Sequence, residues 1–143
     1  MYEDILLPTD GSDKIETVVD HAVSLAEVHD ATLHVLYVVN TASLSDLPME
    51  SSWDGINQAL TQEGERALSR VEERAPDVTV KTTMVDGSPS KEIVRYAGDN
   101  DCDIIVMGTH GRSGVDRLLL GSVAERVVRS SQVPVLTIGV AGE

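Results

Sequence analysis

The chain has 143 residues, 41% of them hydrophobic, which suits one globular unit over residues 1–143 that can bury a core without a disulfide or a structural metal. Its net charge of -13 excludes general nucleic-acid binding, because a phosphate backbone is met by a basic footprint. Neither a basic leader with an apolar run behind it nor an apolar stretch of membrane-spanning length is visible, so the expectation is a cytoplasmic protein with no membrane partner.

The acids are spread along the chain while lysine occurs only at Lys14, Lys81 and Lys91. A solvated acidic surface is one reading, and a salt-adapted, halophilic host in which concentrated ions screen self-repulsion is the other. Aromatics make up 3% and Phe is absent, so Val, Leu, Ile and Ala must build the core. The single cysteine, Cys102, reads as a small buried hydrophobe.

In chain order, Ile5-Leu6-Leu7-Pro8 predicts a short buried strand ending at the turn cluster Thr9-Asp10-Gly11-Ser12. Ile15, Val18, Val19, Ala22, Val23 and Ala26 then recur at helical spacing. The near-continuous run Leu33 to Val39 suits a strand covered on both faces. Asn40 to Trp53 has no clear period and reads as a loop, with Trp53 packing in it. Ile56, Leu60, Ala67, Leu68 and Val71 predict a second helix that stops before Pro76. Val78 to Val85 alternates and is β-branched, which suits a strand nearer an edge. Ser88-Pro89 reads as an N-cap and first helical residue, and Ile93, Val94 and Ala97 supply that helix's buried face. Ile104 to Met107 is a fourth strand, Val123, Ala124, Val127 and Val128 mark a last helix, and Val133 to Ile138 is a fifth strand.

Strands that alternate with helices predict a parallel sheet with right-handed crossovers and helices on both faces. Ligands of such sheets bind beyond the carboxyl ends of the strands, where strand order reverses. That rule directs attention to Pro8-Thr9-Asp10, to Val38-Val39-Asn40, and to Gly108 onward.

The last of these carries the strongest signal. Gly108-Thr109-His110-Gly111-Arg112-Ser113-Gly114 is followed, after Val115 to Leu120, by Gly121-Ser122 at the start of a helix. Glycines allow close backbone approach, successive N–H groups form anion nests, and a helix start offers unpaired donors with the positive dipole end. A phosphate chain fits such a place. Ser122-Val123-Ala124-Glu125 also reads as a capping box, and the glycines alone would serve as a connector, so these residues leave both readings open.

The spacing Gly-x2-Gly-x9-Gly-Ser, carried by Gly108, Gly111, Gly121 and Ser122, resembles the ATP-binding signature of the universal stress protein family. Ile5 to Ser12 is similar to that family's first strand and turn, and Pro134 to Ile138 to its last strand. The resemblance implies an α/β fold of Rossmann-like type, an open five-stranded parallel sheet of order 3-2-1-4-5. It also implies site roles: Pro8, Thr9 and Asp10 lining the adenosine side, Val38 against adenine, Met107 and Gly108 near the ribose and first phosphate. Gly111, Gly121, Ser122 and Val123 would hold phosphates through backbone and hydroxyl donors. ATP, with Mg2+ expected from the triphosphate's charge, is the implied cofactor, in a family branch that keeps these glycines. A homodimer through Val133 to Ile138 is implied as well, and an apolar edge strand invites such pairing.

Among single residues, Asp10 suits a contact to ribose or to a metal-bound water, or else a helix-start acid. His110 reads as solvated, since no second positioned group for acid–base work is evident. Arg112 and Arg117 suit phosphate neutralisation and plain solvation equally. His21, His29 and His34 show no metal-ligand spacing. The functional expectation is a stress-response regulator whose nucleotide occupancy changes its choice of an unknown protein partner. The alternatives are a slow ATPase, an ATP pyrophosphatase and a nucleotide-free structural dimer. The P-loop pattern is absent, and Thr9-Asp10-Gly11-Ser12-Asp13 lacks the Ser-Gly-Gly-x-Asp-Ser loop of the pyrophosphatases, so no fast enzyme is expected.

Overall fold

The computed structural model describes residues 1–11, 15–40, 53–109 and 121–139, and for residues 53–57 the helical backbone alone. The expectations placed on His110, Gly111, Arg112 and Arg117 lie outside the described residues. Within them the order is β1 (Asp4–Thr9), α1 (Glu16–His29), β2 (Thr32–Asn40), α2 (Trp53–Glu73), β3 (Thr79–Gly87), α3 (Pro89–Asp99), β4 (Ile104–Gly108), α4 (Ser122–Ser130) and β5 (Val135–Ile138). The strands form one five-stranded sheet of order β3-β2-β1-β4-β5, every pair parallel.

Position in the sheet explains composition. β1 and β2 have neighbours on both sides and helices on both faces, so Ile5, Leu6, Leu7, Leu33, Val35 and Leu36 are fully buried. β3 is an edge strand, and its alternating, threonine-rich residues are mostly exposed or half-buried. One face of the sheet packs Ile5, Leu7, Val35, Tyr37 and Val106 against Val18, Val19 and Ala22 of α1 and Ala67, Leu68 and Val71 of α2. The other packs Leu6, Leu36, Ile105 and Met107 against Ile93 and Ala97 of α3 and Ala124 and Val127 of α4.

Two glycines matter here. Gly64 lets α2 lie close on the sheet, because a Cβ there would come 2.7 Å from Met84 Cε and 2.8 Å from Tyr37 Cδ1. Gly87 closes β3 at φ 144°, a conformation that L side chains rarely adopt.

The sheet's amino edge is held by polar contacts. Asp103 accepts the N–H groups of Glu3 (2.8 Å) and Asp4 (2.9 Å), and these bonds hold its carboxyl below the ordinary value of 3.8. His34, 5% exposed, bonds Asp4 Oδ1 through Nε2 (2.9 Å) and the Tyr96 hydroxyl through Nδ1 (2.8 Å). Cys102 is buried, and burial pushes its thiol up to about 12, so it acts as packing.

Three local expectations are corrected. Trp53 begins α2 instead of lying in an irregular loop, and Asn40 belongs to β2. Ser122 is the first residue of α4, not its cap: Gly121 is the N-cap, with φ -61° and ψ 158° and no side-chain cap bond. Glu125 therefore does not close a capping box and pairs instead with Arg129 at 2.7 Å, one turn on. β5 begins at Val135 and not at Val133, because Ser131 holds a tight turn, accepting Val133 N–H (3.0 Å) and donating to Val133 carbonyl (2.7 Å).

Candidate functional site at the carboxyl edge of the sheet

β1 and β4 are neighbours, but their ladder covers only Ile5–Ile104 and Leu6–Ile105. Both strands run on, β1 to Thr9 and β4 to Gly108. The chain leaves β1 toward α1 and leaves β4 toward α4, which lie on opposite faces of the sheet. The result is a crevice at the topological switch point, the place the sheet rule assigns to a ligand.

On the β1 side, Pro8 has no N–H and stands where pairing with β4 has ended. Thr9 is 7% exposed, and its Oγ1 accepts the Gly11 N–H at 3.2 Å. That turn needs Gly11 at φ 77° and leaves Asp10 half-exposed at the rim. On the floor, Val38 near the end of β2 is half-buried and packs on the cluster of Leu6, Leu36 and Met107. Met107 is buried and Gly108 half-buried at the end of β4.

The α4 side has one bond that organises it. Gly121 N–H donates to the Thr109 carbonyl at 2.7 Å, and Thr109 N–H donates to the Ile138 carbonyl at 3.0 Å. The start of α4 is thus pinned to the end of β4, and that joint to β5. The Gly121 carbonyl accepts Glu125 N–H at 2.9 Å, the first turn of α4. The N–H groups of Ser122, Val123 and Ala124 have no acceptor inside that helix, and they carry the positive end of its dipole.

These bonds refine the expectation for Gly121. Its N–H is committed to Thr109, so it offers a phosphate no donor. What it offers is the missing side chain at the helix mouth, and the donors there are the next three amides. Ser122 is exposed and Val123 half-buried at that mouth. The structure therefore gathers Pro8, Thr9, Asp10, Met107, Gly108, Gly121, Ser122 and Val123 around the same crevice, with Val38 on the adjoining strand. Sequence reasoning missed Thr109, whose role rests on two backbone bonds that no residue type announces. Among the described residues no group of three or more His, Cys, Asp or Glu could hold a metal ion. The donors present suit an anion: backbone amides, a hydroxyl and a helix dipole.

Comparison with known proteins gives a consistent result. The pattern of the universal stress protein family matches residues 1–139. A universal stress protein of Methanocaldococcus jannaschii is 42% identical over 140 residues, covering 96% of this chain and 82% of that one. The solved structure of protein MJ0577 superposes with a TM-score of 0.88 at 31% identity, covering 100% of this chain and 99% of that one. A universal stress protein solved in complex with cAMP superposes with a TM-score of 0.71 at 25% identity, covering 98% of each chain.

Proposed function

The chain belongs to the universal stress protein family, and we propose that it is an ATP-binding stress-response regulator, acting as a homodimer whose nucleotide occupancy alters its choice of partner. The observation that carries this reading is the Gly121-to-Thr109 bond, which sets the first-turn amides of α4 beside the end of β4 at the switch point. A cyclic adenine nucleotide in a relative of the same fold supports an adenylate as the ligand.

In this reading Pro8, Thr9 and Asp10 flank the adenosine, with Asp10 taking a ribose hydroxyl. Val38 meets the base, and Met107 and Gly108 lie under the ribose and first phosphate. Gly111, Ser122 and Val123 hold the phosphates, and Gly121 keeps the mouth clear. Mg2+, where present, is carried by the phosphates, because oxygen ligands from a triphosphate and water suit it without a protein cage. The sequence carries no P-loop pattern and no lysine after Lys91, so in this reading turnover is slow and the nucleotide acts as a resident ligand.

β5 supports the dimer: it is an edge strand with Leu136 41% exposed. No helix among the described residues is long and apolar enough to cross a membrane. In this reading the protein works in the cytoplasm. The whole of 1–143 acts as one unit. The test is to denature freshly purified protein and identify what it releases. ATP is the expected product. ADP or AMP points to an ATPase, and empty protein that ignores added ATP points to a structural dimer; either result overturns the proposal.

A further inference from the structure

The charge of the chain and the charge around its crevice differ. The whole chain carries -13. Much of that lies on α1 and α2, which hold eight acids against two arginines, Arg66 and Arg70. The connections that follow β1 and β4, residues 10–15 and 109–121, balance: Asp10, Asp13 and Asp116 stand against Lys14, Arg112 and Arg117. α4 adds one cation net, Arg126, because Glu125 holds Arg129 at 2.7 Å. On α3 beside it, Arg95 is held at 3.2 Å by Glu92, whose side chain lies against Gly87.

A polyphosphate entering this crevice therefore meets two opposing forces of different reach. The first amides of α4 attract at hydrogen-bond distance, where dissolved ions do not come between donor and oxygen. The surplus negative charge repels from farther off, and salt screens it: the Debye length is about 10 Å at 0.1 M and about 3 Å at 1 M. A phosphate site built on surplus lysine and arginine behaves the other way and loses affinity as salt rises. We propose that ionic strength regulates this nucleotide site, dissolved cations raising its affinity for ATP so that it fills in concentrated salt and empties in dilute. This rests on the nucleotide-binding reading above. In a chain of this size the ligand sits roughly 20 Å from the centre of charge. Four phosphate charges facing -13 at that distance make the screening between 0.1 M and 1 M worth about tenfold in affinity.

The experiment is calorimetric titration of the full chain with ATP, AMP and adenosine, with a chelator present, from about 0.1 M to about 1 M KCl. ATP affinity rises about tenfold over that range, AMP affinity rises less, and uncharged adenosine stays constant. Asp30→Asn combined with Asp101→Asn tests the long-range origin. Both residues are exposed at the amino edge, roughly 25 Å away by the length of the nine-residue β2. Both hold the left-handed conformation, at φ 54° and 53°, which Asn also adopts, so the fold is kept. In about 0.01 M KCl, where the Debye length is about 30 Å, this variant binds ATP about twofold more tightly than wild type, and the two converge at about 1 M. The inference is overturned if ATP affinity falls with salt, if adenosine affinity rises in parallel, or if the variant has no advantage in dilute salt. Wild type that binds none of the three overturns the nucleotide reading itself, which is a separate result.

Discussion

A methyl group at position 64 tests how tightly α2 sits on the sheet. On an exposed helix, Gly→Ala gains about 1 kcal/mol in propensity. Here the new Cβ would lie 2.7 Å from Met84 Cε, 2.8 Å from Tyr37 Cδ1 and 3.0 Å from Tyr37 Cε1. Met84 can swing its terminal methyl away, since it is a flexible tip. The Tyr37 ring cannot, because it is 6% exposed and enclosed by the core on the α1–α2 face. Overpacking of this kind costs about 1–3 kcal/mol, so the net effect of Gly64→Ala is a loss of about 1 kcal/mol. For a chain of this size that lowers Tm by roughly 3 °C. Urea unfolding followed by far-UV circular dichroism should show a lower midpoint with an unchanged slope. A variant more stable than wild type would refute the close approach, because propensity alone would then be acting.

Three other outcomes follow from the structure. Asp103→Asn should separate from wild type in a pH series: the native carboxyl is depressed by its two backbone donors, so its contribution is full above its ordinary value of 3.8 and fades as pH falls through the lower folded value. Stability curves that stay equally far apart down through that acid range would contradict this. On the proposed pairing through β5, wild type should sediment as a dimer and Leu136→Lys, which puts a charge on the exposed side chain of that edge, as a monomer; a monomeric wild type or a dimeric variant would contradict the proposed β5 dimer. Tyr96→Phe should destabilise by roughly 1–3 kcal/mol in chemical unfolding, because it leaves His34 Nδ1 buried without its partner, and an unchanged midpoint would contradict that.

Much of the fold was legible because the chain states its periods clearly. The apolar run Leu33 to Val39 and the helical stripe Val18, Val19, Ala22, Val23, Ala26 can each bury themselves in only one way, and both are buried as expected apart from half-buried Val38. The exposed alternation of Val78 to Val85 likewise marked β3 as an edge. Less legible were boundaries set by hydrogen bonds. Ser122 has the residue type of a cap, yet the Thr109 carbonyl captures the preceding amide and makes Gly121 the cap. Val133 is β-prone, yet Ser131 folds it into a turn. The Glu92–Gly87 contact was invisible for a related reason: it joins the end of a strand to a helix turn through space, and no spacing rule encodes it. His34 showed no ligand spacing, and the structure gives it a polar network in the core.

The most direct measurement is calorimetric titration of ATP into wild type and into Gly121→Val. That substitution leaves the Gly121-to-Thr109 amide bond possible but fills the helix mouth with a branched side chain. Saturable heat with wild type and none with a folded Gly121→Val is the predicted result. Equal binding by both proteins, or no heat from either, would contradict a phosphate cradle between β4 and α4.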